Sequence, residues 1–348
     1  MADQPTKNLF TLLTGDPNRI YVIAEAGLNH GGNKERALAL VRAAKWAGAD
    51  AVKFQTFRAD RLASKRPARL GHVKEQPNLQ DLFKRLELPF DAFRAMHKEA
   101  KRIGIEFLST PFDEESADFL DHLGVNAFKI ASGDITHRPL IEHVSRKGKP
   151  VLLSTGMSTI EEIEKAIDWM HSQSNEQVLL LHCISSYPAM HEELNLKSVQ
   201  FLRDRFGVPV GFSDHSVGAL GSVVAASLGA QVIERHFMIE SRADMPDLAV
   251  SMDAKTLKSH IEELRNIGTL LGQRGKFTSD AENRNKTASR RALYANRAIA
   301  PGEVINAGML NALRPANGIS PEFMDSVIGK QALTAIEAGA PVKWESLQ

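Results

Sequence analysis

At 348 residues the chain is longer than one ordinary domain and has room for a parallel β/α barrel with a small addition. Hydrophobic residues at 43% and charged residues at 24% match a globular protein and exclude a low-complexity or membrane-embedded one. The net charge of +1 gives no reason to expect nucleic acid or an anionic membrane as main partner, and the single Cys183 excludes an intrachain disulfide.

The N-terminal MADQPTKNLF lacks the basic-then-apolar layout of a leader, so none is expected, and the lone cysteine fits an expected cytoplasmic location. YVIAEAG (21–27) reads as a first strand. After it one unit recurs: an amphipathic helix ends at Gly, and a short apolar run follows that closes in polar residues. The joints are Gly48 before ADAVKFQ, Gly104 before IEFLSTP, Gly124 before VNAFKIASG and Gly148 before KPVLLSTG. Gly207 before VPVGFSDH and Gly229 before AQVIERHF continue the series. The helix before Gly104 puts Phe93, Met96, Ala100 and Ile103 on one face. The helix after the fifth strand does the same with Ile160, Ile163, Ile167 and Met170, and Ser158 and Glu161 stand at capping-box spacing. VLLLHC (178–183) supplies a further strand. The apolar stretch 219–233 is broken by Gly221, Ser222, Ser227 and Gly229 and reads as a core helix running into a strand, not a membrane span.

Eight short, non-alternating apolar runs separated by helices predict an α/β fold, a (β/α)8 TIM barrel. A doubly wound sheet is the alternative, weakened because no GxGxxG follows the first strand. After a long helix near 257–271 the texture turns polar. The predicted domains are a barrel over 1–275, a linker over 276–290 and a small, mostly β domain over 291–348.

In a barrel the C-terminal strand ends converge on one site. Here they carry Glu25, then Lys53 and Gln55, then Ser109 and Thr110, then Lys129, Ser132 and Asp134. The remaining four strands add Ser154, then His182 with Ser185 and Tyr187, then Ser213, Asp214 and His215, and last Glu234 and His236. Two lysines and several hydroxyls around one mouth make an anion site, with phosphate the natural occupant. His215 and His236, on adjacent strands, can share one divalent metal and leave positions open for substrate and water. His182 is left out of that pair, and His30 is read as a loop residue shaping the mouth. Glu25 is either a general acid/base or a buried partner of Lys53.

In this order the stretches IAEAGLNHGG, GADAVKFQTF, FLSTPFD, FKIASGD, LSTGM, LHCISSYP, GFSDHS and ERHF resemble the sialic acid synthase family. The tail RRALYANRAIAPGEVI with LRPANGISP and IGKQAL resembles the antifreeze-like (SAF, β-clip) domain that follows the barrel in that family. The resemblance implies a transferase of the EC 2.5.1 class. It would condense phosphoenolpyruvate with an N-acylated hexosamine, N-acetylmannosamine first, to a nine-carbon 2-keto acid and phosphate. It implies a divalent cofactor on His215 and His236, Mn²⁺ ahead of Mg²⁺ or Co²⁺. Phosphoenolpyruvate would meet Lys53, Thr110, Lys129, Ser132, Ser154, Ser185 and Ser213. Gln55, Tyr187, Asp247 and Arg314 would hold the sugar, with Glu25 and Asp134 moving protons. It further implies a homodimer with swapped C-terminal domains, through which Arg314 reaches the partner's site.

The chain departs from the family's usual Gly-Pro-Asp at Met245-Pro246-Asp247, and has Ser185 where Asn is common. A legionaminic or pseudaminic acid synthase, using a 2,4-diacetamido-trideoxy hexose, therefore stays open as the alternative. Two other classes compete: a Schiff-base aldolase on Lys53 or Lys129, and a non-catalytic carbohydrate- or ice-binding module suggested by the tail.

Overall fold

The computed structural model describes residues 10–11, 19–65, 78–241 and 245–348. The leader reading falls mostly on residues 1–9, outside the described residues. The chain divides into two compact units, Met1–Gly272 and Gln273–Gln348.

The first unit is a barrel of eight parallel strands: β1 Tyr21–Gly27, β2 Ala51–Thr56, β3 Glu106–Pro111, β4 Phe128–Ile130, β5 Val151–Ser154, β6 Val178–Cys183, β7 Val210–Asp214 and β8 Val232–Met238. The ladder runs β3-β2-β1-β8-β7-β6-β5-β4, and β3 and β4 are neighbours that close the ring without a ladder among the described residues. The (β/α)8 expectation holds, and the open doubly wound sheet is excluded. Helices end where glycine takes the left-handed conformation, as at Gly48 (φ 88°) and Gly104 (φ 71°).

Side chains alternate across each strand, so every second residue faces the barrel interior. Tyr21, Ile23, Ala51, Leu108, Ala127, Leu152, Leu179, Leu181 and Val232 pack together as the lower interior layers. The intervening residues, among them Val22, Val52, Phe54, Phe107, Phe128, Leu153, Leu180 and Phe212, pack outward with the helix faces into the larger core. Continuing the inward series upward places Glu25, Lys53, Thr110, Lys129, Ser154, Ser213 and Glu234 at one level, above an apolar plug. Register ties them together: Glu25 stands opposite Lys53 and His236, Gln55 opposite Thr110, and Ser213 opposite Glu234.

One local expectation is corrected. The helix Ile160–His171 is opened by a capping box of Thr159 and Glu162, one residue later than Ser158 and Glu161. Ser158 is unavailable because its hydroxyl donates to Gly156 O in the turn after β5. The predicted linker contains the helix Asp280–Ser289, opened by a Ser279–Glu282 capping box and exposed along its length. With no apolar face it carries no periodic signal.

The second unit holds an antiparallel pair, Ala292–Ala295 with Leu310–Leu313, several isolated bridges and short 3-10 turns. Its core gathers Leu293, Ile299, Ile305, Ile319, Val327, Ile336 and Val342. Among the described residues no helix is long and apolar enough to cross a membrane.

Candidate active site

The strand ends open on a cavity of about 410 Å³. All of the predicted site residues except Asp134, Asp247 and Arg314 line it, joined by Phe112, Met157, Cys183 and Glu234. Asp134 lies in the turn Ser132–Asp134 and does not line the cavity; burial raises its carboxyl to about 6, against His137 and Lys129. Asp247 sits behind the imidazole layer, with Oδ2 3.5 Å from His236 Nδ1. Arg314 is exposed in the second unit. His30 is buried in its own turn, where Nδ1 accepts from Gly32 N at 3.0 Å, and is absent from the cavity wall.

Charge is crowded at the cavity floor. Lys53 Nζ lies 2.8 Å from Glu25 Oε2, 3.6 Å from Glu234 Oε2 and 3.3 Å from Thr110 Oγ1, all buried. One ammonium between two carboxyls cannot neutralise both in a dry setting. Glu234 is the one that ionises. Burial opposes its charge, yet Lys53, Lys129 and the Ser213 hydroxyl, donating at 2.9 Å, hold it down at about 2. Burial pushes Glu25 up to about 7, with Lys53 opposing and Glu234 reinforcing. Lys53 is nearer Glu25, but Glu234 has the additional cation and hydroxyl, and these decide where the proton stays. Glu25 is thus both paired with Lys53 and able to exchange a proton near neutral pH.

Unspent donors face the same space. Burial lowers Lys129, and its hydrogen bond is to Ile130 O at 3.1 Å, which leaves further N–H groups for a ligand. Ser154 Oγ, at the end of β5, is buried and has no hydrogen-bond partner among the described residues. Ser132 Oγ takes Gly156 N at 3.0 Å, and a Cβ at Gly156 would collide with the Ser132 and Ser185 hydroxyls, so glycine there lets both approach. An oxyanion bearing several acceptors, such as a phosphate or carboxylate, satisfies this set.

The imidazoles form the opposite wall. His215 Nδ1 donates to Ile184 O at 2.8 Å, which leaves Nε2 as its free lone pair. His236 falls well below its ordinary range, through burial first and then His215, so it presents a neutral ring; its Nδ1 makes no hydrogen bond among the described residues. Their centroids are 5.3 Å apart. Two imidazoles bound to one ion at about 2.1 Å have centroids about 5 Å apart, so this spacing fits a shared cation. Burial opposes charge on His215, but Cys183 and Ile184 O outweigh it and carry it to about 9, so a cation taken there displaces a proton. Among the described residues no group of three or more His, Cys, Asp and Glu could hold a metal. Any ion held there would have His215 and His236 as its protein ligands, with further positions open to other groups. Tyr187 stacks on His215 at 4.1 Å and meets His236 edge-on at 6.1 Å, fixing the wall's shape.

Glu234 and Cys183 are the neighbours that a search for anion and metal ligands passes over. Glu234 was legible as a strand-end acid. His182 lies apart from the imidazole pair: it points outward, and its Nε2 donates to Leu194 O at 2.7 Å.

Residues 40–276 match the NeuB family, and residues 290–348 match the SAF domain. The chain is 39% identical, over 96% of each chain, to the N,N'-diacetyllegionaminic acid synthase of Legionella pneumophila. It is 39% identical to the enzyme of that name from Campylobacter jejuni, covering 89% of this chain and 95% of the relative. The crystal structure of an N-acetylneuraminic acid synthetase from Leptospira borgpetersenii superposes with a TM-score of 0.69 at 33% identity, over 77% of this chain and 90% of that one.

Proposed function

The chain belongs to the NeuB family, and from that premise we propose that it condenses phosphoenolpyruvate with a 2,4-diacetamido-trideoxy hexose to give a legionaminic acid-type 2-keto acid and phosphate. The choice of sugar reverses the order expected from sequence alone, where N-acetylmannosamine stood first. It is supported by 39% identity to two diacetyllegionaminic acid synthases against 33% to the N-acetylneuraminic acid synthetase. The observation that carries the chemistry is the floor of the cavity, where two buried lysines and an unpartnered Ser154 hydroxyl await an oxyanion beside a pair of imidazoles.

In this reading Lys129, Ser154, Ser132 and Ser213 hold the phosphate and carboxylate of phosphoenolpyruvate. Lys53 and Thr110 keep its carbon 3 aimed at the aldehyde. A divalent ion on His215 and His236, Mn²⁺ first, would supply Lewis acidity to the aldehyde oxygen. Carbon 3 forms the new bond to the aldehyde carbon, water adds at carbon 2, and phosphate leaves with the C–O electron pair. Glu25 hands its proton to the aldehyde oxygen as that becomes a hydroxyl, a task suited to a carboxyl raised to about 7. Gln55 and Tyr187 line the sugar's approach. As an amine nucleophile Lys53 finds less support, because it is paired and held above its ordinary value.

We also infer a cytoplasmic homodimer in which Arg314 of one copy contacts the acyl group bound by the other. Phosphate release from phosphoenolpyruvate that depends on an added N-acyl hexose tests the reaction. Release with none of a panel of such sugars, in metal-loaded protein, would overturn it.

A further inference from the structure

Beside the catalytic cavity lies a second groove of about 430 Å³, between the loop 154–158 after β5 and the segment 195–202. The two spaces share Met157 and Cys183 as wall residues. Nothing in the reaction assigned above uses this groove.

Met157 is held there at a cost. It sits at φ 61°, in the left-handed region that a side chain other than glycine rarely takes, and it is 74% exposed. The loop around it is pinned. Thr155 donates through N and Oγ1 to Leu181 O at 3.0 and 3.1 Å, and Gly156 N donates to Ser132 Oγ at 3.0 Å. The same bonds that hold Ser132 at the catalytic cavity therefore thrust Met157 between the two spaces. A large apolar side chain, strained and left in water, is suited to being covered by a ligand.

His182 gives the groove its polar address. It is 7% exposed, it lines this groove and not the catalytic cavity, and its Nε2 donates to Leu194 O. That bond fixes the tautomer, so Nδ1 is the ring's acceptor, and burial disfavours its protonation. An acceptor set among Met157, Ile184 and Phe201 suits a ligand with one N–H and one methyl close together. An acetamido group has both. A bare hydroxyl lacks the methyl, and a phosphate or carboxylate has no hydrogen to donate.

We propose that this groove is the subsite for the second N-acyl arm of the sugar, and that Met157 is the specificity-determining residue at its entrance. The proposal rests on the diacetamido-hexose reading given above. The aldehyde end of the open-chain sugar meets the imidazole wall, and the 4-acetamido arm passes Met157 to reach His182.

Phe201 is 53% exposed and lines this groove but not the catalytic cavity, so Phe201→Ser alters the subsite without touching that cavity. The expected result is a fall of about fivefold to tenfold in the ratio of kcat/KM for the diacetamido sugar to that for N-acetylmannosamine, with Met157→Ala at least as large. An unchanged ratio in both variants overturns the proposal. A second measurement does not depend on turnover. With methionine methyls labelled with carbon-13, and the Met157 resonance identified by its loss in Met157→Ala, the free sugars are titrated in turn. A shift with the diacetamido sugar and none with N-acetylmannosamine supports the subsite. Silence with both, or equal shifts with both, overturns it. If wild-type protein instead turns over N-acetylmannosamine in preference, the assigned reaction fails on its own evidence, separately from the methyl signal.

Discussion

Asp214 and Arg235 form an ion pair at 2.9 Å, both side chains almost wholly buried, one residue before His215 and His236 respectively. Alternation along β7 and β8 sends the pair to the outer face and the two imidazoles to the inner one. The pair also organises the loop that follows β7. Asp214 Oδ1 accepts from Ser216 N at 2.8 Å, Oδ2 accepts from Ser222 Oγ at 2.6 Å, and Arg235 Nη2 donates to the carbonyls of Ser216 and Gly218. A lock outside the barrel thus fixes the spacing of the wall inside it.

Breaking that lock strands a charge in a dry place. Arg235→Ala is expected to cost about 3–5 kcal/mol of stability, read from urea unfolding of the intact chain. Replacing both residues with Leu and Met is expected to cost less, because no lone charge is left buried. A single variant as stable as wild type would contradict this role.

Glu25 sets a pH dependence of definite sign. Its folded value of about 7 lies above the ordinary 4.5, so between those values the folded protein keeps a proton that the unfolded chain releases. Stability from this group therefore falls as pH rises through that window. Thermal midpoints of wild type and Glu25→Gln, compared at about pH 6 and about pH 8, are expected to diverge at the higher pH, the variant losing less. The same variant should lower kcat by about 100-fold if Glu25 supplies the proton. A parallel shift of both midpoints would argue against the raised carboxyl.

Two substitutions should divide the substrates. Lys129→Met removes a charge-assisted donor and is expected to raise the KM for phosphoenolpyruvate by about 10- to 100-fold, with a smaller effect on the sugar. Arg314→Ala is expected to do the reverse, raising the sugar KM while that for phosphoenolpyruvate stays nearly constant, in a protein sedimenting as a dimer. A monomer with full activity would remove the partner's arginine from the account.

Removing metal with a chelator is expected to abolish phosphate release, and added Mn²⁺ to restore it. His236→Ala should bind no Mn²⁺ by titration and lose nearly all turnover while keeping its circular dichroism spectrum. Full activity in chelator, with borohydride trapping substrate on a lysine, would favour the amine mechanism instead.

The barrel was legible because six of its eight strands follow a glycine after a helix, and the strands close in polar residues. What sequence left ambiguous was parity. His182 and His215 both stand at strand ends, yet Leu181 packs inside the barrel and so turns His182 outward. Tracking the alternation from the apolar residues below would have separated them. The Ser158 cap was misplaced because its hydroxyl is taken by a local turn, a competition that spacing does not reveal. The groove at Met157 was illegible, since neither a left-handed backbone at methionine nor an open acceptor on His182 leaves a mark in composition or period.

The central claim is the sugar. Supplying the metal-loaded protein with phosphoenolpyruvate and equal amounts of N-acetylmannosamine and a 2,4-diacetamido-trideoxy hexose, and weighing the products by mass spectrometry, tests it directly. The account expects the diacetylated nine-carbon acid to exceed the other by at least about tenfold, the low end of what a small difference in pocket contacts discriminates. A mixture dominated by N-acetylneuraminic acid would contradict it.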